Sequence, residues 1–459
     1  MGGQGKGIKL YCARWVLPMA SGAIEGGAVA VEGSRVAGVS AREELAARFP
    51  AAGVEELGEA VILPGFVNCH THLELTAMRG FLEPEEGDFF AWLKKLTVAR
   101  GERMTAEDLC ASAAWGAVEA ARAGVTCVGD ASAAGVTTMR ALSDVGLRGV
   151  VFQEAFGPDE REARERFDEA RRKIESLRSL ETPLVALGLS PHAPYTVSRP
   201  LLGLLADYAT AEGLPVMMHA AESEAEQLFV TEGRGPFADG YNFRGLPWSA
   251  PGVSPVKYLA ETGILDTRPL LAHCVRADDA DIALLARRGA AVAHCPKSNA
   301  KLGHGRAPFA DFINGGVAVG LGSDSVASNN TCDLLEEARF ALLASRAAGD
   351  TLEAGGALRA EDVLRVATSG GARALRLEHL TGALAEGLEA DLVAVRLDAP
   401  HQLPVYDPAA ALVFASSGRD VLLTVVAGRE VFRDGRVRTV NEEELAARVR
   451  DIARRLSAP

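Results

Sequence analysis

VILPGFVNCHTHLEL, residues 61–75, sets an apolar run directly against a pair of histidines. An uninterrupted run such as VILPGFV (61–67) is the pattern of a parallel strand buried on both faces. Here the chain turns polar immediately after it, at His70 and His72. The same sequence of events recurs at VTCVGD (125–130), GVVFQEA (149–155), PLVALGLS (183–190), PVMMHA (215–220), PLLAHC (269–274), AAVAHC (290–295) and VAVGLGSD (317–324), which makes eight runs. Helical patterns separate them. Over 105–122, Thr105 and Asp108 stand at capping-box spacing and Gly124 supplies a stop. Over 159–180, Phe167, Ala170, Ile174 and Leu177 recur at helical spacing among dense charge, the mark of a helix with a solvated outer face. Strand and helix alternate eight times, with polar residues at the C-terminal end of nearly every strand. This predicts an α/β chain built as a (β/α)8 TIM-type barrel rather than a doubly wound sheet.

Working outward, the flanks read differently. Residues 1–60 and 385–459 carry short strand signals with turn residues, AVAVEGSRVAGVS early and ADLVAVRLD and VLLTVVAGREVFRDGRV late. They predict a small composite β-sandwich domain built from both termini, with the barrel over 61–384. One long irregular stretch, 226–254, holds Gly233, Gly235, Gly240, Gly245, Phe237, Tyr241, Phe243 and Trp248, as a lid or binding loop does.

A chain of 459 residues exceeds what one core fills, so two domains are expected. A 48% hydrophobic and 24% charged composition is that of a folded globular protein. The net charge of -13 and the lack of any basic run argue against a nucleic-acid partner. The N-terminal MGGQGKGIKLYCARWVLPM has no apolar run of signal-peptide type, and no stretch of about 18 apolar residues occurs, so neither export nor a membrane span is expected. The reading is a cytoplasmic protein. Seven scattered cysteines without a CxxC pair indicate neither a disulfide framework nor a cysteine metal site.

The polar strand ends carry the chemistry. Alternation along an extended chain points His70 and His72 the same way, so both imidazoles can reach one ion. His219 and His273 end the fifth and sixth strands, and Gly322-Ser323-Asp324 ends the eighth. Imidazoles with a carboxylate suit zinc or ferrous iron and leave a position for water. Glu222 follows His219 by three residues. It reads as a proton shuttle beside the ion, or as a carboxylate favoured by a helix N-terminus.

PGFVNCHTHLE, HAAE, AHC, HCPKSN and GSDSVASNN, in this order, resemble the amidohydrolase superfamily. The likeness is to its branch of adenosine, S-adenosylhomocysteine and methylthioadenosine deaminases, chlorotriazine hydrolases and aminodeoxyfutalosine deaminases, and it extends to the late GALAEGLEADLVAV. The resemblance implies one divalent ion, zinc first and iron or manganese as alternatives, held by His70, His72, His219 and Asp324. It implies that His273 hydrogen-bonds the attacking water, that Asp324 accepts its proton, and that Glu222 protonates the ring nitrogen and then the leaving amine. Two-metal relatives place a carbamylated lysine after strand four; here the strand ends Ser190-Pro191-His192. His192 matches a position where relatives contact ribose or substrate, with a supporting role as its alternative, and His294 and Asn299 match a segment that shapes the pocket.

The segment with Glu74, Phe89, Phe90, Trp92 and Arg100 looks most similar to aminodeoxyfutalosine deaminases, a role in menaquinone biosynthesis. Arg79 or Arg100 would then pair the substrate carboxylate. Trp92 and Phe90 would stack on ligand rings or face the core, and Glu74 would touch substrate or hold a metal-binding histidine. The implied function is hydrolytic deamination of a 6-aminopurine nucleoside, best aminodeoxyfutalosine, otherwise adenosine, S-adenosylhomocysteine or methylthioadenosine. A chlorotriazine or guanine-type hydrolase, and a catalytically silent barrel used as a binding scaffold, stand as alternatives. The expected partner is a small molecule, and relatives imply a homo-oligomer.

Overall fold

Gly65 decides where the first run divides. A Cβ there would lie 2.1 Å from the Thr126 side chain, so the two segments pass each other only because no side chain intervenes. The run 61–67, read above as one barrel strand, is therefore two strands. Ala60–Pro64 pairs antiparallel with Leu392–Arg396, with Ile62 opposite Ala394, and β1 (Phe66–Thr71) begins beyond the turn. The computed structural model describes residues 7–353 and 355–457; the first six residues of the N-terminal segment lie outside the described residues.

The remaining runs form β2 (Val125–Ser132), β3 (Arg148–Ala155), β4 (Val185–Pro191), β5 (Met217–Ala220), β6 (Leu270–His273), β7 (Ala291–His294) and β8 (Ala318–Leu321). All are parallel to their neighbours, in two four-stranded sheets, β1 to β4 and β5 to β8. An isolated parallel bridge, Leu189 with Val216, links β4 to the segment entering β5. Where β8 meets β1, a ladder gives way to specific bonds. The Asp324 amide donates to the His70 carbonyl (2.8 Å) and the Ser323 amide to Asn68 Oδ1 (2.9 Å). The ladder stops here because Asp324 takes a left-handed conformation, φ 56°, which turns the chain out of strand geometry.

The helices form for the reasons the sequence predicts. Thr105 and Asp108 make a reciprocal capping box on Ala106–Arg122, and Phe167, Ala170, Ile174 and Leu177 are buried on Ala163–Leu177. Two readings need correction. The stretch 226–254 is not one irregular loop: Ser223 caps Glu224–Glu232, and Pro236 opens Pro236–Phe243 after a break in which Gly233 and Gly235 take positive φ. The late flank is not wholly β either. Glu442–Leu456 is a helix capped by Asn441, and it buries Ile452 and Leu456 among Leu75, Met78 and Trp92.

Outside these two sheets, Ala60–Pro64 and Leu392–Arg396 lie centrally in a seven-stranded sheet that mixes N-terminal and C-terminal strands. A four-stranded sheet of N-terminal strands adds Val29 and Val31 to the same apolar cluster as Ile62, Leu392 and Leu423. β3 is tied to this part of the chain by a buried ion pair, Arg148 Nε to Asp391 Oδ2 at 2.7 Å. Asp391 Oδ1 also accepts from the Ala427 amide. Asp391→Ala strands a buried guanidinium, and a loss of about 3–5 kcal/mol is expected in urea melts. All seven cysteines are free thiols. Among the described residues no helix is long and apolar enough to cross a membrane.

Candidate metal centre and active site

The strand ends converge as the parallel register requires. His70 and His72 leave β1, His219 is the third residue of β5, His273 ends β6, and Asp324 follows β8. Ligand atoms of His70, His72 and His219 lie within 4.8 Å of one another, and so do those of His70, His273 and Asp324. His72 Nε2 stands 3.2 Å from His219 Nε2, and Asp324 Oδ1 lies 3.4 Å from His70 Nε2 and 3.6 Å from His72 Nε2.

Burial keeps these imidazoles neutral. It lowers His70, sends His72 well below the usual histidine range with help from His70, and brings His219 down to about 3 with His70 and His273 adding to it. Burial works against ionisation of Asp324 as well, yet the neighbouring His70, His273 and His72 hold its carboxyl well below the ordinary range. Ser298 and Ser328 hydroxyls donate to its Oδ2 at 2.6 and 2.9 Å, and the Ser325 amide donates to Oδ1. Neutral nitrogens facing an ionised carboxylate are the donor set a divalent ion needs. His70 Nε2 is buried without a hydrogen-bond partner, an orphan that a bound cation would satisfy. The residues fit one ion.

The supporting contacts orient the ligands. The second ring nitrogen of His219 faces the His192 carbonyl at 2.9 Å, and Nδ1 of His70 faces Met217 Sδ at 3.3 Å. His273 Nδ1 lies 2.9 Å from Asn299 Oδ1, so the amide oxygen accepts the ring N–H and leaves Nε2 turned to Glu222 Oε1 at 3.6 Å. Ala221, His273, Cys274 and Asp324 all have positive φ; such strain in non-glycine residues gathers where side chains must be aimed.

Glu222 is held from two directions. Glu226, one turn into the following helix, accepts the amides of Ala221 and Glu222 at 2.8 Å each. His273 and His304 then draw the Glu222 carboxyl, against its burial, down to about 2. Glu226→Ala leaves two buried amides unpaired, so a loss of about 1–3 kcal/mol is expected in thermal or chemical melts. A fall in kcat should accompany it, because Glu222 loses its anchor.

Because the ligand imidazoles are depressed below 6.5, protons compete with the ion only at lower pH than for free histidine. A divalent ion loaded on this site should survive gel filtration at pH 5, read by atomic emission. Loss of the ion in step with a group titrating near 6.5 would contradict this electrostatic reading.

The cavity over the centre encloses about 500 Å³. His72, His192, His219, Glu222, His273, Asp324, Trp92 and Arg100 line it, beside Phe89, Phe90, Tyr195 and Phe237. Three residues expected at or around the pocket lie outside its wall. Arg79 is half exposed and paired with Glu119, outside the cavity wall. Asn299 stands behind His273, against a separate cavity of about 360 Å³ that His294 also lines. Glu74 is fully buried beneath the wall; it accepts from Ser132 Oγ at 2.7 Å and from the amides of Ala133 and Ala134. It sits 3.5 Å from Arg100 and touches none of the metal-binding histidines by hydrogen bond. Two site residues were not anticipated. Glu154 is the last polar residue of the run GVVFQEA, one before the strand ends, a signal like the one that marks the histidines, whereas His304, 3.5 Å from Glu222, has no spacing that would mark it.

The Amidohydrolase family profile matches residues 61–431. The chain belongs to the amidohydrolase family. A 5-methylthioadenosine/S-adenosylhomocysteine deaminase of Syntrophobacter fumaroxidans is 36% identical over 437 residues, covering 93% of each chain. One of Pelotomaculum thermopropionicum is 33% identical over 439 residues, covering 95% of each. Among solved structures, a zinc-bound adenosine deaminase of Xanthomonas campestris superposes with a TM-score of 0.84 at 27% identity over 98% of both chains. A triazine hydrolase from Arthrobacter aurescens, at 23% identity and a TM-score of 0.83 over 98% of this chain and 100% of its own, shares the fold. As a member of this family the chain is a metal-dependent hydrolase of carbon–nitrogen bonds, and the cluster of His70, His72, His219, His273 and Asp324 is where this amidohydrolase can hold its metal.

Proposed function

We propose that this amidohydrolase is a hydrolytic deaminase of 6-aminopurine nucleosides that holds one divalent ion, zinc for preference, on His70, His72, His219 and Asp324. The convergence of three neutral imidazoles and an ionised carboxylate beside Glu222 and His273, on the wall of one cavity, carries the reading. The relatives named as deaminases of adenine nucleosides support the substrate class.

When bound, the ion supplies Lewis acidity that brings the pKa of a water molecule towards about 7. The rest falls to the chain. His273, anchored through Nδ1 on Asn299, offers Nε2 to the attacking water and fixes its direction. Glu222, ionised in the free site, takes one proton from that water and delivers it to the ring nitrogen next to the attacked carbon. Asp324 takes the second, which leaves with the exocyclic amine as ammonia. Water thus contributes its oxygen to the ring and both protons to the nitrogens. The aromatic wall of Phe89, Phe90, Trp92 and Phe237 excludes bulk water and suits an apolar or aromatic substituent on the nucleoside.

Methylthioadenosine and aminodeoxyfutalosine are therefore the preferred substrates within the class. For the latter, however, Arg100 already faces Glu74 and Glu154, which weakens it as a receptor for a benzoate. An ammonia-release assay on zinc-loaded enzyme with adenosine, methylthioadenosine, S-adenosylhomocysteine, aminodeoxyfutalosine, guanine and a triazine decides the matter. Release from at least one adenine nucleoside, and not from guanine or the triazine, is expected; silence on all the nucleosides overturns the proposal.

A further inference from the structure

Glu154, near the end of β3 and 3% exposed, reaches the cavity wall with Oε2 buried and without a hydrogen-bond partner. Its neighbours approach but do not bond it. Arg100 Nη1 stands 3.8 Å from Oε2, and His192 Nε2 stands 4.0 Å from Oε1. Burial pushes the carboxyl up to about 8. A buried oxygen left unpaired is costly, and Glu154 is one of the residues that line the cavity. Raised to about 8, the carboxyl is protonated at neutral pH and both donates and accepts, so whatever enters must bring a hydrogen-bonding partner for it.

The flanking groups narrow the ligand further. An incoming carboxylate would meet the oxygen of Glu154 instead of a free cation, because two buried carboxyl groups already face Arg100. An incoming cation would be repelled by that same guanidinium. A hydroxyl suits both sides, since it donates to Glu154 while accepting from Arg100 or His192. Two adjacent hydroxyls can serve both edges of the carboxyl group.

We propose that Glu154, flanked by Arg100 and His192, forms a hydroxyl-binding subsite that takes the vicinal diol of the substrate sugar. The identity of that sugar as a ribose rests on the deaminase reading; the preference for a diol rests on the unpartnered oxygen. A site built to hydrogen-bond hydroxyls rejects the analogue that lacks them. The subsite thus makes the enzyme select ribonucleosides over deoxygenated ones.

Binding is measured by calorimetry on the zinc-loaded enzyme with inosine and 2′,3′-dideoxyinosine, which carry no exocyclic amine and cannot be deaminated. Roughly 10-fold or more tighter binding of inosine is expected for the unmodified enzyme. Glu154→Ala should bring the two within roughly 3-fold of each other by weakening inosine alone, and Glu154→Gln, which keeps the volume and one acceptor, should fall between. Melting temperatures of both variants confirm that they fold. The subsite is overturned if the unmodified enzyme does not distinguish the two ligands, or if Glu154→Ala weakens both equally or leaves the gap intact. Failure of the ammonia assay would sink the deaminase reading while these binding ratios still judged the diol.

Discussion

Asp324→Asn is expected to lower kcat/KM on the order of 1,000-fold or more, since removing one charged ligand forfeits several kcal/mol of transition-state stabilisation. Asparagine is the informative replacement. Asp324 sits at φ 56°, a conformation asparagine tolerates far better than alanine, so the backbone turn out of β8 persists. Its amide oxygen can still accept the Ser325 N–H, while the negative charge that three histidines and two serine hydroxyls stabilise is gone. Zinc content by atomic emission should fall with activity. The melting temperature of the unmodified enzyme should drop on chelation and recover with zinc, whereas that of the variant should respond to neither. A variant with full zinc occupancy and normal turnover would remove Asp324 from the proposed ligand set.

Glu222→Gln should separate binding from chemistry. No proposed metal ligand is altered and the side-chain volume is kept, so zinc content and inosine affinity should stay near those of the unmodified enzyme. Turnover should fall by roughly 100-fold to 10,000-fold, the usual worth of a positioned proton shuttle. The loss belongs in kcat, with KM little changed, because the proton transfer is felt in the transition state. The pH profile offers a second check. Glu222 is held at about 2, below its ordinary 4.5, by His273 and His304, so it stays ionised across the neutral range. The acid limb of kcat/KM, which reports the free enzyme, should therefore not bend at 4.5. Unchanged kcat in the variant would move the shuttle to another residue.

The candidate site was legible wherever backbone register alone places a side chain. A parallel strand that ends in a polar residue delivers it to the C-terminal face, and His70, His72, His219, His273 and Asp324 each stand at or just beyond such an end. Glu154 obeys the same rule and could have been found by it. Arg79 and Arg100 could not be told apart, because a long side chain samples many directions and its partners decide among them. Glu119 takes Arg79 away to the surface, while Glu74 and Glu154 draw Arg100 into the cavity. Glu74, read as a substrate contact or the support of a metal-binding histidine, and Asn299, read as part of a segment that shapes the pocket, both lie behind the wall, one under Arg100 and one on His273.

Length and periodicity were sufficient to predict eight strands and the helices between them, since apolar runs and capping residues are local signals. They placed the first strand boundary wrongly, at 61, because the apolar run 61–67 continues from Ala60–Pro64 into the start of Phe66–Thr71, two strands that differ in their pairing partner, Leu392–Arg396 for one and β2 for the other. Only the folded chain reveals that difference, since pairing joins segments more than 300 residues apart. The sequence by itself determined which chemistry the strand ends can perform: imidazole and carboxylate groups in an order that one ion can use. The tertiary structure alone decided how that chemistry is tuned and what it can grip. Burial neutralises the imidazoles, His304 and Glu226 set Glu222, and a carboxyl oxygen on Glu154, a residue of the cavity wall, is left buried and unpaired. Desolvation and pairing depend on neighbours that the linear order does not specify.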